Sequence, residues 1–170
     1  MKKLALVAVC ALLCSCQRTP GEVMQKVKYD FGIGEKPEGY VSGAERVMQN
    51  LDKVAQTEMK RMNIEGRHGE VQFQEEEGLR GSYYKQVKLY EDFYPLDARA
   101  TSKAAEGGRG YLGYIEYTYR VCQSERKPNR TEAAAASATI RTNQTGRETF
   151  RYTFSPGGVW DGKKGEKTRR

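Results

Sequence analysis

The residues best suited to proton transfer are one histidine and two nearby glutamates. His68 is the only histidine of the chain, with Glu65 before it and Glu70 after it. A histidine and a carboxylate can work together as general acid and base when their geometry and pKa values are tuned. No nucleophile or orienting partner follows at a telling spacing, so we interpret His68 as an exposed loop residue. We therefore predict no catalytic residue in this chain.

Two short segments have residue types that could hold a cation or a phosphate, but their spacing argues against both. Glu75, Glu76 and Glu77 are adjacent, so they point in different directions and lack the pattern of an EF-hand loop. The loop at 104–110 is glycine-rich but lacks the lysine and the Ser/Thr of a phosphate-binding loop. We interpret these segments as a solvated charge run and a flexible connection, and we predict no metal and no cofactor.

Tyrosines recur in the second half of the chain among basic residues. Such a set could form a stacking and charge surface for glycans or single strands of nucleic acid. Tyrosine also favours strands and packs across them in pairs, which is our interpretation of most of the set. Of this set, we expect Tyr114, on the polar face of its strand, to be the most exposed member. The tyrosines are Tyr83, Tyr84, Tyr90, Tyr94, Tyr111, Tyr114, Tyr117, Tyr119 and Tyr152, and the basic neighbours are Lys85, Lys88, Arg120 and Arg151.

The positions of the four cysteines limit what the folded part can be built around. Cys10, Cys14 and Cys16 lie near the N-terminus, and only Cys122 lies in the remainder of the chain. A scaffold built on disulfides is therefore excluded. A four-ligand zinc site is disfavoured because the chain has a single histidine. We interpret Cys122 as a buried small apolar residue at the end of a strand.

The first sixteen residues have the layout of a secretory leader. Lys2 and Lys3 form a basic segment, and residues 4–13 form an apolar segment that is too short to span a bilayer. Residues 13–16, Leu-Cys-Ser-Cys, resemble the bacterial lipobox, in which an apolar residue and two small residues precede the lipidated cysteine. The resemblance covers this leader only. It implies cleavage before Cys16 and a diacylglyceryl group on its thiol.

The leader and the charge distribution suggest where the protein acts. Gln17 follows the cysteine in place of the aspartate that favours inner-membrane retention in enterobacteria, so the resemblance implies an outer-membrane anchor facing the periplasm. The formal net charge is +7, and residues 81–170 carry 17 basic and 10 acidic side chains. A basic half favours anionic partners or only increases solubility. We expect a membrane partner through the lipid, and we expect no nucleic-acid partner.

The clearest predicted element is a helix that starts near residue 42. Ser42 and Glu45 have the spacing of a capping box. Apolar residues then recur at the spacing of one helix face, which predicts an amphipathic helix of about twenty residues that closes near 63–66. The residues of that face are Val47, Met48, Leu51, Val54, Ala55, Met59 and Met62.

Alternating polar and apolar residues predict strands after the helix. The predicted strands cover residues 71–74, 82–92, 111–122 and 148–154, with a short last pairing at 159–160. In the second of them, Tyr83, Val87 and Leu89 share one face, and Gln86 and Lys88 share the other. Residues 133–142 are ambiguous between a helix and a strand, and residues 143–146 read as a hairpin turn.

One long helix followed by four or five strands predicts an α+β domain with the helix packed on a curved antiparallel sheet. By element order alone, the domain resembles the cystatin-like and ketosteroid-isomerase-like families, and such a resemblance transfers no function. We divide the chain into a signal peptide (1–15), the lipidated cysteine and a tether with a short helix (16–41), one α+β domain (42–160) and a basic tail (161–170).

Three functions are compatible with these features, and one of them is electrostatic attachment of the basic half to an anionic surface, with the fold as a spacer. The favoured one is a non-enzymatic envelope lipoprotein whose domain binds an envelope protein, a glycan or a small apolar ligand. The alternative is a small-cavity enzyme or ligand carrier of the ketosteroid-isomerase-like type, with His68 or an inward carboxylate as the base. A cavity of at least about 300 Å³ with convergent polar groups would favour ligand binding or catalysis.

Overall fold

The computed structural model describes residues 25, 28–29, 33–35, 37–76, 79–102 and 110–168. The chain divides into two compact units, Met1–Ser42 and Gly43–Arg170. In the first unit, the rings of Tyr29 and Tyr40 meet edge to face at 5.4 Å. Several sequence-based predictions lie outside the described residues: the signal peptide, lipidation of Cys16, Glu77 of the acidic run, most of the tether at 16–41 and most of the glycine-rich loop at 104–110.

The second unit begins with a long helix, α1, which spans Gly43–Glu65 and continues into a short 3-10 turn at Gly66–His68. The helix has 23 residues, close to the predicted length. Its buried side chains include Val47, Leu51 and Val54, which belong to the predicted apolar face. Within the described part of the chain, no helix is both long enough and apolar enough to cross a membrane.

Five antiparallel strands form one open sheet, in which spatial order follows chain order. The predicted α+β class is therefore confirmed, with one long helix and a five-stranded sheet; the curvature stays a prediction. The strands are β1 (Glu70–Glu76), β2 (Leu79–Thr101), β3 (Gly110–Gln123), β4 (Ile140–Phe154) and β5 (Glu166–Lys167).

The core lies between α1 and the middle of the sheet. Leu51 of the helix and Ile115 of β3 are fully buried in one apolar cluster with Phe154 of β4. Gly113 lets the helix approach closely, since a Cβ atom there would lie 2.6 Å from Leu51 Cδ2 and 2.8 Å from Phe154 Cε2. Burial of such side chains, at about 1.5–3 kcal/mol each, holds the two layers together.

The sheet differs from the predicted strands in two places. β2 runs through to Thr101 and contains two bulges, one of which follows Tyr90. The predicted turn at 143–146 is wrong, because β4 continues through these residues. There the extra residues form a bulge: Arg141 pairs with Cys122 and Thr145 pairs with Arg120. Residues typical of a turn are thus accommodated as a bulge in a continuous strand.

The alanine-rich segment before β4 resolves as a short helix, α2, at Arg130–Ala135. Its first turn is capped by Asn129, whose side-chain oxygen accepts from Glu132 N at 2.9 Å. Ala133 is fully buried, and Lys85 Nζ donates to Ala134 O at 3.0 Å. The segment therefore combines the two alternatives that the sequence left open, since its first part is helical and its end enters β4.

The segment assigned to a basic tail returns to the sheet. Within it, Glu166–Lys167 forms β5 and pairs with Phe150 and Arg151 of β4. Thr168 N also donates to Thr149 O at 2.9 Å. The segment at 161–168 is thereby held against the edge of the sheet at β4.

Candidate functional site

A cavity of about 700 Å³ lies at the C-terminal half of α1, between this helix, the start of β1, strands β2 to β4 and the segment 161–168. Its size falls within the range of small-molecule sites in proteins. Apolar side chains and charged side chains both contribute to the wall. The residues that line it include Glu58, Arg61, Met62, Glu65, Glu70, Gln86, Lys88, Tyr90, Tyr119, Val121, Gln144, Phe150 and Lys164.

A buried carboxylate on β4 organises the sheet beneath this cavity. Glu148 is 8% exposed and pairs with Tyr117 of β3, so both side chains emerge on the face that packs against α1. Its Oε1 accepts from Lys88 Nζ at 2.5 Å and from Lys167 Nζ at 2.9 Å. Its Oε2 accepts from the hydroxyl of Tyr90 at 2.7 Å. Three donors from two other strands therefore meet one carboxylate.

The electrostatics of this cluster keep Glu148 charged. Burial by itself would raise the pKa of Glu148, but the hydrogen bonds from Lys88, Lys167 and Tyr90 outweigh it and lower the pKa to about 2. For Lys88, burial lowers the pKa, but the hydrogen bond to Glu148 and the negative charge of Glu148 raise it by more. The pKa of Lys88 is therefore raised above its ordinary value. Burial and Glu148 together raise the pKa of Tyr90. Near pH 7, Glu148 is therefore ionised, and Lys88 and Tyr90 keep their protons.

A second buried carboxylate, Glu58, extends from α1 and is 2% exposed. Its Oε2 accepts from Arg61 at 2.5 Å and from Gly165 N at 3.3 Å. No described residue donates to its other oxygen, Oε1, although that atom is buried. A buried acceptor without a donor costs roughly 1–3 kcal/mol.

The C-terminal segment closes one side of the cavity through polar contacts. Lys164 Nζ lies 2.7 Å from Glu65 Oε2 on α1, and Gly165 donates its backbone N–H to Glu58. Lys167 reaches Glu148 of β4. Lys164 and Lys167, assigned by sequence to a tail, are thus paired with carboxylates of two different elements.

Aromatic rings give the cavity its apolar surface. Tyr90 and Tyr119 lie edge to face with centroids 5.8 Å apart, and Lys88 Nζ lies 4.7 Å from the centre of the Tyr119 ring. Deeper in the layer, the hydroxyls of Tyr117 and Tyr152 form a 2.9 Å hydrogen bond. Burial raises the pKa of both of these tyrosines, so they remain neutral.

The residues selected from the sequence for acid–base chemistry separate in the structure. His68 is exposed and does not line the cavity, whereas Glu65 and Glu70 do line it. In the acidic run, Glu75 is exposed on β1. Among the described residues, no group of three or more potential metal ligands comes together.

The remaining candidates lie mainly in packing positions. Packing is confirmed for Tyr111, Tyr117 and Tyr152, which are buried. The expectation for Tyr114 is wrong: it is half-buried, and Tyr94 is 50% exposed. Cys122 is buried as a free thiol, as predicted.

Sequence reasoning missed the carboxylates that define the cavity. Glu148 lies 60 residues from Lys88 in the chain, and Gly165 lies 107 residues from Glu58. A signal for Glu148 was present, because it precedes Phe150 and Tyr152 at the spacing of one strand face. A glutamate at an inward position of a strand indicates a buried polar site.

We compared the chain with protein-family models, curated proteins and solved structures, and none of the three comparisons gives a match.

Proposed function

We propose that this chain is a membrane-anchored envelope lipoprotein whose α+β domain binds a small ligand in the cavity beside α1. The observation that carries the proposal is the cavity itself, at about 700 Å³. Its wall combines apolar side chains such as Met62 and Phe150 with the convergent polar groups around Glu58 and Lys88. Ligand sites typically pair an apolar lining with a few placed polar groups.

The proton affinities of the cluster favour binding over acid–base catalysis. A general base works best when its pKa lies near the working pH, and Glu148 has a pKa of about 2. Lys88 and Tyr90 have pKa values raised above ordinary values that are already high, so they are weak acids at pH 7. A fixed set of paired charges is better suited to orienting a ligand than to moving its protons.

The proposed cellular location is the outer membrane, with the domain facing the periplasm. Its support is the lipobox-like sequence before Cys16 and the basic and apolar segments that precede it. Two or three acyl chains would anchor the protein firmly, since each buried CH₂ contributes about 0.8 kcal/mol. The domain would then take its ligand from the periplasm or from an envelope partner.

A cavity-filling substitution tests the proposed binding site. Met62→Trp places a larger side chain at the cavity wall, and Met48→Trp is the matched control on α1, because Met48 is exposed and does not line the cavity. We would screen a small-molecule library by NMR with the full chain in detergent. Compounds should shift the amide signals of Gly66, Gly69 and Gly165, and Met62→Trp should abolish those shifts while Met48→Trp retains them. Shifts of these three signals that persist in Met62→Trp would show that the compounds do not occupy the space beside Met62 and would overturn the proposal.

Labelling with radioactive palmitate tests the proposed anchor. Cys16→Ala should abolish incorporation of the label and release the chain from the membrane fraction. Cys14→Ser is the matched control, because it keeps a small residue before the cleavage site. Equal labelling of the wild type and Cys16→Ala would contradict the anchor.

A further inference from the structure

We propose that the ligand of this cavity is a neutral saccharide, bound with its hydroxyl groups on the paired charges and a ring face on the tyrosines. This inference rests on the proposed ligand-binding function and names the chemical class of the ligand. Three properties of the wall carry it: the balance of charge, the mixture of donors and acceptors, and the aromatic surface.

The formal charges of the side chains that line the cavity sum to zero. Glu58, Glu65 and Glu70 contribute three negative charges, and three positive charges come from Arg61, Lys88 and Lys164. Glu58 is bonded to Arg61, and Glu65 to Lys164. Behind the wall, Glu148 and Lys167 form a further pair. An ionic ligand would therefore meet like charge as well as opposite charge and would have to compete with existing ion pairs.

The wall nevertheless keeps hydrogen-bonding capacity of both kinds. Each lysine ammonium has three N–H donors, of which Lys88 gives one to Glu148 and Lys164 gives one to Glu65. The carboxylates of Glu65 and Glu70 at the wall are acceptors. Gln86 and Gln144 add side-chain amides, each with two donors and one acceptor.

This mixture matches a hydroxyl group better than it matches an ion. A hydroxyl donates one hydrogen bond and accepts others, so it can bridge an ammonium and a carboxylate that are already paired. An anion can only accept, and an ammonium ligand can only donate. A ligand with several hydroxyls can therefore use donors and acceptors on all sides of the cavity.

The apolar part of the wall fits the other face of a sugar ring. Tyr90 and Tyr119 present aromatic carbon beside Val121 and Phe150. The C–H face of a pyranose is apolar while its edges are polar, so it can pack against this aromatic and aliphatic carbon while its hydroxyls reach the polar groups. Gly146 helps to place this surface, since a Cβ atom there would lie 2.5 Å from Tyr119 Cζ.

Matched probes that differ only in charge test the inference on the full chain, held in a polyoxyethylene detergent that carries no sugar. The neutral probes are glucose and N-acetylglucosamine, and the charged counterparts are glucuronate and glucosamine. Laurate and a fragment library of compounds that are not saccharides serve as further probes. The readout is the set of amide signals of Gly66, Gly69 and Gly165, with Gly157 as a distant reference. We expect at least one neutral sugar to shift the three cavity signals and to bind more tightly than its charged counterpart.

Two variants connect the binding to the wall. Replacing both Gln86 and Gln144 by leucine keeps side-chain volume and removes two amides, which should weaken neutral-sugar binding by about fivefold or more per lost bond. Gln56→Leu is the control, because Gln56 is exposed on α1 and does not line the cavity. If the double leucine variant and Gln56→Leu bind the neutral sugar with equal affinity, the proposal that a neutral saccharide binds in this cavity is overturned.

The outcomes separate this inference from the function on which it rests. If laurate, a charged sugar or another fragment shifts the cavity signals and no neutral sugar does, the ligand class is wrong while the cavity remains a binding site. If no probe of any class shifts them, both the inference and the proposed function are overturned. Tighter binding of a neutral sugar, lost in the double leucine variant, supports both.

Discussion

Replacing Glu148 by glutamine tests whether the charge of this carboxylate holds three elements of the sheet together. The substitution keeps the size of the side chain and removes its charge. Lys88, Lys167 and Tyr90 then lose the charged acceptor that they share. Hydrogen bonds to a charged group are stronger than neutral ones, so the domain should lose stability.

The expected size of the effect follows from the pKa of Glu148. That pKa is about 2 in the folded protein, against an ordinary value of 4.5. A tenfold change in proton affinity corresponds to about 1.4 kcal/mol, so the cluster adds about 3 kcal/mol to the free energy of unfolding at pH 7. Lys88 and Lys167 are 46% and 56% exposed, and water screens part of this interaction. We therefore expect Glu148→Gln to cost about 2 kcal/mol.

Urea unfolding of the full chain in detergent, followed by circular dichroism, measures this loss. Because folding lowers the pKa of Glu148, its contribution is complete above about pH 4.5 and is lost as pH falls towards 2. The difference between the wild type and Glu148→Gln should therefore narrow over that range. Glu125→Gln is the control: Glu125 is 78% exposed beside Lys127, and its loss should cost less than about 0.5 kcal/mol.

A difference below about 0.5 kcal/mol at pH 7, matching the control, would refute this reasoning. So would a larger difference that stays constant from pH 5 to pH 2, because the loss would then come from altered packing and not from the charge of Glu148.

Three further predictions concern the packing around the site. Asn63 bonds both the N–H and the C=O of Tyr90, at 2.8 and 2.9 Å, so Asn63→Ala should lower the urea-derived free energy of unfolding by about 2 kcal/mol. Asn50→Ala, which loses one hydrogen bond to the carbonyl of Gly158, should lower the free energy of unfolding by about half as much. Equal losses in the two variants would contradict the double hydrogen bond between Asn63 and the backbone of Tyr90. Gly113→Ala forces a Cβ atom against buried side chains and should cost about 1–3 kcal/mol by the same assay, whereas an unchanged midpoint would show that the helix can retreat. Cys122 is 3% exposed, so its thiol should react with a disulfide reagent only when urea unfolds the chain. Rapid labelling of the native protein at Cys122, assigned by peptide mass spectrometry, would contradict its burial.

Local signals in the sequence were sufficient for α1 and for β3. The capping box and the apolar spacing from Val47 onward depend only on neighbours along the chain, and the helix follows them to Glu65. The alternation around Ile115 and Tyr117 similarly marks β3, which is central in the sheet and has its apolar side buried. In both elements, local pattern and tertiary packing favour the same structure.

The prediction failed where packing decided between two faces of a strand. The sequence grouped Val87 and Leu89 on the apolar face of β2 and Lys88 on the polar face, but the register pairs Lys88 with Val121 and so directs this lysine towards the cavity. The residues at 143–146 have the composition of a turn, and pairing with β3 holds them in a strand instead. Strand register and bulges depend on partners far away in the sequence, which a local pattern does not contain.

The candidate site could not be predicted for the same reason. Its wall combines the end of α1, strands β1 to β4 and a C-terminal segment whose composition indicated a solvated tail. Lys164 and Lys167 become part of the site only because Glu65 and Glu148 face them across the fold. Charge composition alone does not distinguish a mobile basic tail from one that pairs with buried carboxylates.

Stability of the fold alone does not explain why charged groups lie around the cavity. An apolar set of similar volume is often as stable as a buried ion pair, because removing charges from water is costly. Here two carboxylates, Glu58 and Glu148, are both more than 90% buried beside a cavity of about 700 Å³. Proteins depart from the packing optimum mainly at functional sites. The retention of paired charges around open space, in a domain that already has an apolar core at Leu51 and Ile115, therefore favours recognition of a polar ligand at this site.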